Sequence, residues 1–264
     1  PNLYSDSVVA LNLANGRMIW YYQLTSHDVY DHDIGASVIF TEINLNGKKE
    51  KVVIAGSKSG FLLVLRASDG KPIYSPIQLS LQLNNINDNN PNADLTLESA
   101  HNKVVCPANN GGVQSSVGFA DNIIYAVSQN TCRRFNVTAV TTRDKFFTGA
   151  EVYAGLNDNS TLFAIDASTG KTLGRFLMNG TYRKGSATIS GDLVLLGADN
   201  GFVYVLDRNV NGELLFKLEV GAPIGAPITV GADSDGKMKI LVPFGSGGWR
   251  GIENGIIALG LKEQ

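Results

Sequence analysis

Val8-Val9-Ala10-Leu11-Asn12-Leu13-Ala14-Asn15-Gly16-Arg17-Met18-Ile19-Trp20-Tyr21-Tyr22 is the stretch that decides the fold. An apolar run closes on Asn12, a turn follows with Gly16 at its tip, and a second β-prone run ends in three aromatics. Asn-Gly between two such runs is a hairpin signal, because the tight turns that match strand twist need residues tolerant of positive φ. The unit recurs as Val64-Leu65-Arg66 with Gly70 and Tyr74, and as Phe163-Ala164-Ile165-Asp166 with Gly170. It recurs again as Tyr204-Val205-Leu206-Asp207 with Gly212 and Phe216. Ile124-Tyr125-Ala126-Val127-Ser128 is a weaker copy and Ile257-Ala258-Leu259-Gly260 a partial one.

Anchored on the Asp-equivalent position, the copies fall at 12, 66, 128, 166, 207 and 260. The shorter intervals match the period of roughly 40–50 residues of propeller blades, and the longer ones leave room for insertions. Helical periodicity is nearly absent. A blade cannot bury both faces alone and needs neighbours on each side. Six turn units imply about five blades in one domain over 1–264, the first lacking its leading strands, and a complete ring needs more chain than this. Pro76 to Ser99, rich in Asn and Asp, reads as a long surface insertion. Trp20 has the place of a residue that docks one blade on the next.

With 264 residues, 29 Gly and only 17% charged residues, the composition fits a β-rich chain with many tight turns. The net charge of −2 gives no electrostatic reason to expect nucleic acid or an anionic membrane. No apolar run is long enough for a membrane span. The chain opens on Pro1, without a signal-like segment, and reads as processed or partial. Cys106 and Cys132 are either two buried thiols or one disulfide. Sequons at Asn136, Asn159 and Asn179, taken with the even cysteine count, favour the disulfide and a periplasmic or extracellular setting.

His27-Asp28-Val29-Tyr30-Asp31-His32-Asp33 crowds three carboxylates and two imidazoles just after the aromatic strand. A hard cation, a general base, or both would use such a cluster. In a strand, positions i and i+2 share a face, so Asp31 and Asp33 are expected to reach one ion. His27 and Asp28 are expected to brace the loop, and His32 to be exposed.

Asn2 to Leu11 running through Trp20-Tyr21-Tyr22-Gln23 into His27-Asp28-Val29-Tyr30-Asp31 resembles the pyrroloquinoline quinone (PQQ) alcohol and methanol dehydrogenases. Gly56-Ser57-Lys58-Ser59-Gly60-Phe61, Cys106-Pro107 with Gly111-Gly112, Phe146-Phe147-Thr148-Gly149-Ala150 and Gly245-Ser246-Gly247-Gly248-Trp249 continue the resemblance in the family's order. It covers essentially the whole chain and implies an all-β propeller of quinoprotein type. About five of eight blades are expected here, from the C-terminal half.

The resemblance implies that Asp31 is the catalytic base that takes the alcohol proton while hydride passes to PQQ. It also implies that Asp31 lies against the metal. Asp33 matches the extra aspartate of the lanthanide-dependent branch, so the implied ion is calcium or a lanthanide. Lys58 matches the cation that bonds the quinone oxygens, and Trp249 an aromatic wall of the substrate cavity. Asn130 matches a PQQ contact less closely, because its offset from Cys132 differs. Cys106 and Cys132 match a disulfide pair near the cofactor. The implied partners are a small alcohol and a cytochrome c-type acceptor. No Cys-x-x-Cys-His is present for a haem on this stretch. The family's other metal carboxylate and asparagine, its tryptophan beneath the quinone and its vicinal cysteines precede the matched segment. They must come from missing N-terminal blades or a second chain. The alternative to an enzyme is a PQQ-like propeller that lost the cofactor and serves as a binding or assembly scaffold.

Overall fold

The structure, a computed structural model, describes residues 2–28, 30–84, 102–135, 150–151, 158–179, 185–209, 212–245 and 254–260. Every regular element among them is a strand. Strands β1 (Ser7–Leu11) and β2 (Met18–Gln23) pair as a two-stranded sheet. Strands β3 (Ile39–Leu45), β4 (Lys48–Gly56), β5 (Phe61–Arg66) and β6 (Ile77–Gln78) follow as a four-stranded antiparallel meander. Strands β8 (Gly118–Ala120), β9 (Ile123–Asn130), β12 (Asn159–Asp166) and β13 (Thr172–Asn179) make a second four-stranded sheet. Strands β14 (Thr188–Ser190), β15 (Leu193–Gly197), β16 (Phe202–Asp207) and β17 (Leu214–Glu219) make a third. Strands β18 (Thr229–Ala232), β19 (Met238–Phe244) and β20 (Gly255–Gly260) form a three-stranded sheet. Five blade sheets of propeller type are therefore present among the described residues.

A sixth sheet is built from insertions: β7 (Lys103–Val105), β10 (Arg133–Phe135) and β11 (Ala150–Glu151). It corrects the reading of the repeat at 128. Strand β9 is not the start of another blade but the neighbour of β12 in the same sheet, with β10 and β11 inserted between them. The interval from 128 to 166 is an excursion inside one blade. The insertion read from Pro76 also starts later. Ile77 and Gln78 pair with Leu62 and Phe61, and Leu79 and Ser80 are buried. Residues 85–99 lie outside the described residues.

Local chemistry explains the repeat. Asn12 Oδ1 accepts from Ala14 N (2.9 Å) and Asn12 O from Gly16 N (2.8 Å). Asp166 Oδ1 does the same for Ser168 N (2.7 Å), and its carbonyl accepts from Gly170 N (2.8 Å). The Asp or Asn anchor thus caps its own turn through the side chain, and Gly16 and Gly170 take the left-handed φ that closes it. Between β3 and β4, Asn46 and Gly47 both have positive φ, as a two-residue hairpin turn requires.

The chain divides into two compact units, Pro1–Gln114 with Ser128–Asp158, and Ser115–Val127 with Asn159–Gln264. In the first, Val8, Leu24, Ala55, Phe61, Leu63 and Leu65 form a core against which Trp20, Tyr22 and Ile34 pack. Trp20 docks on the following blade. Its Nε1 donates to Ala67 O (2.8 Å), and a Cβ on Gly70 would lie 2.5 Å from Trp20 Cε3. In the second unit, Tyr125, Leu162, Met178, Leu196 and Leu206 form the main cluster. There Gly174, paired with Ala164 as Trp20 is with Ala10, holds the docking position without a side chain. The carbonyl that would receive an indole, Arg208 O, accepts from the Tyr125 hydroxyl instead (3.1 Å). Asn159, one of the sequons, lies half-buried in β12, with Ser160 and Thr161 buried after it.

Candidate functional site

The loop after β2 is organised by Asp28. Its Oδ1 accepts from Tyr30 N (2.8 Å) and its Oδ2 from His32 N (2.5 Å). The two bonds wrap the chain so tightly that Asp31 takes φ +64°. A left-handed non-glycine residue costs about 1 kcal/mol or more and persists only where its surroundings impose it. Tyr30 and His32 are buried on either side of it. Asp31 and Asp33 are left partly exposed on the other face.

This corrects two expectations. Asp31 and Asp33 do converge, but from a loop with a left-handed residue, not from the alternation of a strand. His32 is not exposed: 2% of its surface is accessible, and its Nε2 lies 2.9 Å from Pro107 O. A carbonyl can only accept, so Nε2 carries the proton. Burial pushes the imidazole below its ordinary pKa, against the pull of Asp28, and His32 is neutral at pH 7.

Lys58 sits in the turn between β4 and β5, which Gly60 closes at φ +86° with its amide on Ser57 O (2.9 Å). Ser57 Oγ donates to His32 O (2.9 Å), and Lys58 N donates to Asp33 O (3.1 Å). The turn and the Asp28 loop are thereby joined by one side-chain and one backbone hydrogen bond. Lys58 Nζ then reaches Asp31 Oδ2 at 2.8 Å and Asp33 Oδ1 at 2.7 Å. Gly112 explains the Gly-Gly pair after Cys106-Pro107: at φ +68°, any Cβ there would collide with the Lys58 carbonyl. Cys106 and Cys132 form a disulfide.

Burial raises the Asp31 pKa, Lys58 pulls it back, and Asp33 adds repulsion; the net shift is upward. For Lys58 burial acts downward, but its bonds to Asp31 and Asp33 more than reverse it, so the ammonium is held above its ordinary value. Asp6, immediately before β1, was not anticipated from the sequence. It is pushed up to about 6, first by burial and then by the Asp28 and Asp33 carboxylates. The hairpin register carries the signal that finds it. Ser7 pairs with Gln23, and Leu24 N donates to Asp6 O (3.1 Å), so the residue before β1 lies beside the residue after β2.

Other expected site residues fare differently. Asp28 braces the loop as expected, whereas His27 Nδ1 is buried without a hydrogen-bond partner. Asn130 stands at the end of β9 with Oδ1 accepting from Leu81 N (3.0 Å). Trp249 lies outside the described residues, as do Phe146 to Gly149. Among the described residues no third His, Cys, Asp or Glu joins Asp31 and Asp33 as a metal-binding group. The two aspartates nevertheless suit one side of a hard cation's shell. They offer oxygen donors only, and they converge on a single positive charge, the place a cation would take.

The family model for the glucose/ethanol/alcohol dehydrogenase β-propeller domain (PQQ) matches residues 1–80, which hold Trp20, the Asp28 loop and Lys58. A lanthanide-dependent methanol dehydrogenase of Methylacidiphilum fumariolicum is 26% identical over 268 residues, 95% of this chain and 44% of that protein. A quinoprotein alcohol dehydrogenase of Pseudomonas putida is 27% identical over 99% of this chain and 47% of its own length. The chain is similar to PQQ alcohol dehydrogenase propellers along nearly its whole length. Among solved structures, a europium-containing methanol dehydrogenase superposes with a TM-score of 0.72 at 20% identity, over 94% of this chain and 46% of that one. The quinohemoprotein alcohol dehydrogenase of Comamonas testosteroni gives 0.74 at 21% identity, over 92% and 39%. These two establish the fold. The chain spans a little under half the length of the curated relatives it matches end to end. Within this propeller fold, the aspartates and the lysine stand where the loop after one aromatic strand meets the next blade's hairpin turn.

Proposed function

We propose that this chain supplies the base and one side of the cation shell of a PQQ-dependent alcohol dehydrogenase that oxidises an alcohol to an aldehyde. One observation carries the reading: Asp31 and Asp33 converge on Lys58 at 2.8 and 2.7 Å, uniting in a charged cluster a lysine and an aspartate 27 positions apart with a second aspartate between them. Asp31 is the base. Its raised pKa makes its carboxylate a better proton acceptor than an ordinary one. The alcohol O–H would donate to an Asp31 oxygen, and Asp31 keeps that proton until the product leaves. Asp33 shares the cation with Asp31 and adds the negative charge that a trivalent ion prefers. Lys58 is the positive charge for the acceptor's oxygens. When bound, PQQ supplies the two-electron acceptor and the calcium or lanthanide ion its Lewis acid.

Asn130 and Trp249 complete the proposed contacts to the cofactor and the substrate cavity. A small alcohol and an external cytochrome are the proposed partners, with the remaining metal ligands coming from further blades. The disulfide supports an oxidising, periplasmic or extracellular setting. No helix among the described residues is long and apolar enough to cross a membrane.

A scaffold propeller without cofactor is the second reading, favoured by the lack of a third ligating group near Asp31 and Asp33 among the described residues. Reconstitution separates the two. The chain is mixed with PQQ and calcium or lanthanum, desalted, and assayed by dye reduction with a primary alcohol. Quinone absorbance that stays with the protein and dye reduction that depends on the alcohol are expected. Loss of both, also when further blades are supplied, overturns the enzyme reading.

A further inference from the structure

We infer that His32 is the positioning residue of the Asp31–Asp33 arm: its buried imidazole ties the arm to the Pro107 carbonyl and so sets where both carboxylates stand. The carboxylates need such a device. Their side chains are 37% and 44% exposed, so packing does not hold them, and Asp31 has left-handed backbone that would relax if released. His32, between them, is held at three points: N on Asp28 Oδ2, O on Ser57 Oγ, and Nε2 on Pro107 O. The first two partners belong to the same local assembly. The third lies 75 positions away on a segment fixed independently. Cys106 exchanges both backbone hydrogen bonds with Leu83 (2.9 Å each), Ala108 N donates to Thr131 O (2.8 Å), and the disulfide joins Cys106 to Cys132. Pro107 is therefore a rigid reference, and the imidazole is the side-chain link from it to the arm. Breaking the link would leave a buried N–H and a buried carbonyl unpaired, which makes it costly.

Two substitutions separate the bond from the bulk. His32→Phe keeps a ring and removes the donor. His32→Gln keeps a nitrogen near the place of Nε2. Hydrogen exchange is measured on the full chain, without metal or quinone, at the amides of His32 and Lys58 and at β5 as a control. His32→Phe is expected to speed exchange at the two loop amides about tenfold and to leave β5 unchanged, with His32→Gln close to wild type. Terbium titration should follow the same order, about 10–100-fold weaker for His32→Phe and near wild type for His32→Gln. If His32→Phe does not fold, His32→Asn, too short to reach Pro107, takes its place with the same expectation. Unchanged loop exchange, His32→Gln as fast as His32→Phe, or equal acceleration throughout β5 would each overturn the inference. The terbium arm rests on the function proposed above. If wild type binds no terbium, that function fails, and exchange still decides the role of His32.

Discussion

Lys58 Nζ lies 2.8 Å from Asp31 Oδ2, so in the absence of a metal ion the Asp31 carboxylate carries an ammonium as its counter-charge. The same nitrogen is 2.7 Å from Asp33 Oδ1. An incoming cation must compete with that ammonium for both carboxylates. Lys58→Met therefore raises the affinity of the quinone-free chain for terbium, by about fivefold if the lost competition is worth about 1 kcal/mol. Luminescence titration at fixed ionic strength reads this. Equal or weaker binding would show that the lysine does not occupy the cation's place.

Asp31→Asn isolates charge from shape. Asparagine tolerates left-handed φ, so the loop keeps its course at φ +64°. In the reconstituted enzyme the alcohol-dependent rate falls by about 10²–10⁴-fold, the usual contribution of a positioned base, while the thermal midpoint changes little. A variant that retained full rate would remove Asp31 from the chemistry.

Asp6 gives the metal-free chain a pH dependence whose sign follows from its upward shift. Its carboxyl titrates at about 6 in the folded protein against 3.8 unfolded. Between those values the folded state holds a proton that the unfolded state has released, so the Asp6 contribution to stability fades as pH rises from about 4 to 6. Asp6→Asn removes this slope and raises the melting temperature above pH 7 relative to wild type, with no gain at pH 4. Melting curves in chelator across that range are the measurement. Parallel curves for the two proteins would refute the assignment.

Two glycines predict opposite outcomes. A Cβ at Gly112 strikes the Lys58 carbonyl, which is backbone and cannot yield cheaply, so Gly112→Ala costs about 2–4 kcal/mol by urea unfolding. A Cβ at Gly35 meets only the tip of Asp33, Oδ2, at 2.7 Å. Gly35→Ala is expected to stay within about 1 kcal/mol of wild type in stability and to weaken terbium binding by turning that carboxylate. A large stability loss at Gly35 would contradict the placement of Asp33.

Blade docking yields the last prediction. The hydroxyl of Tyr125 takes for Arg208 O the part that the Trp20 indole takes for Ala67 O. Tyr125→Phe is expected to cost about 1 kcal/mol, the loss of one partly buried hydrogen bond. Trp20→Ala, which also removes the packing over Gly70, should cost about 3–5 kcal/mol. Equal effects in chemical denaturation would mean that the indole adds nothing beyond its hydrogen bond.

The sequence alone was enough to determine the strands and their turns. Asn12, Asp166 and Gly16 act through neighbours two to four positions away, and such chemistry is written in local order. It also singled out the charged loop, because Asp31, Asp33 and Lys58 lie in stretches that resemble one family. Only the tertiary structure decided the rest. The copy at 128 looked like another blade because β9 has the composition of any inner strand, and only its pairing with β12 reveals the excursion between them. His32 looked exposed because its partner, Pro107 O, is 75 positions away. Asp6 went unnoticed because its pKa depends on carboxylates brought near by hairpin register. Burial and charge are set by neighbours in space, so residues whose roles rest on them become legible only when the chain is folded.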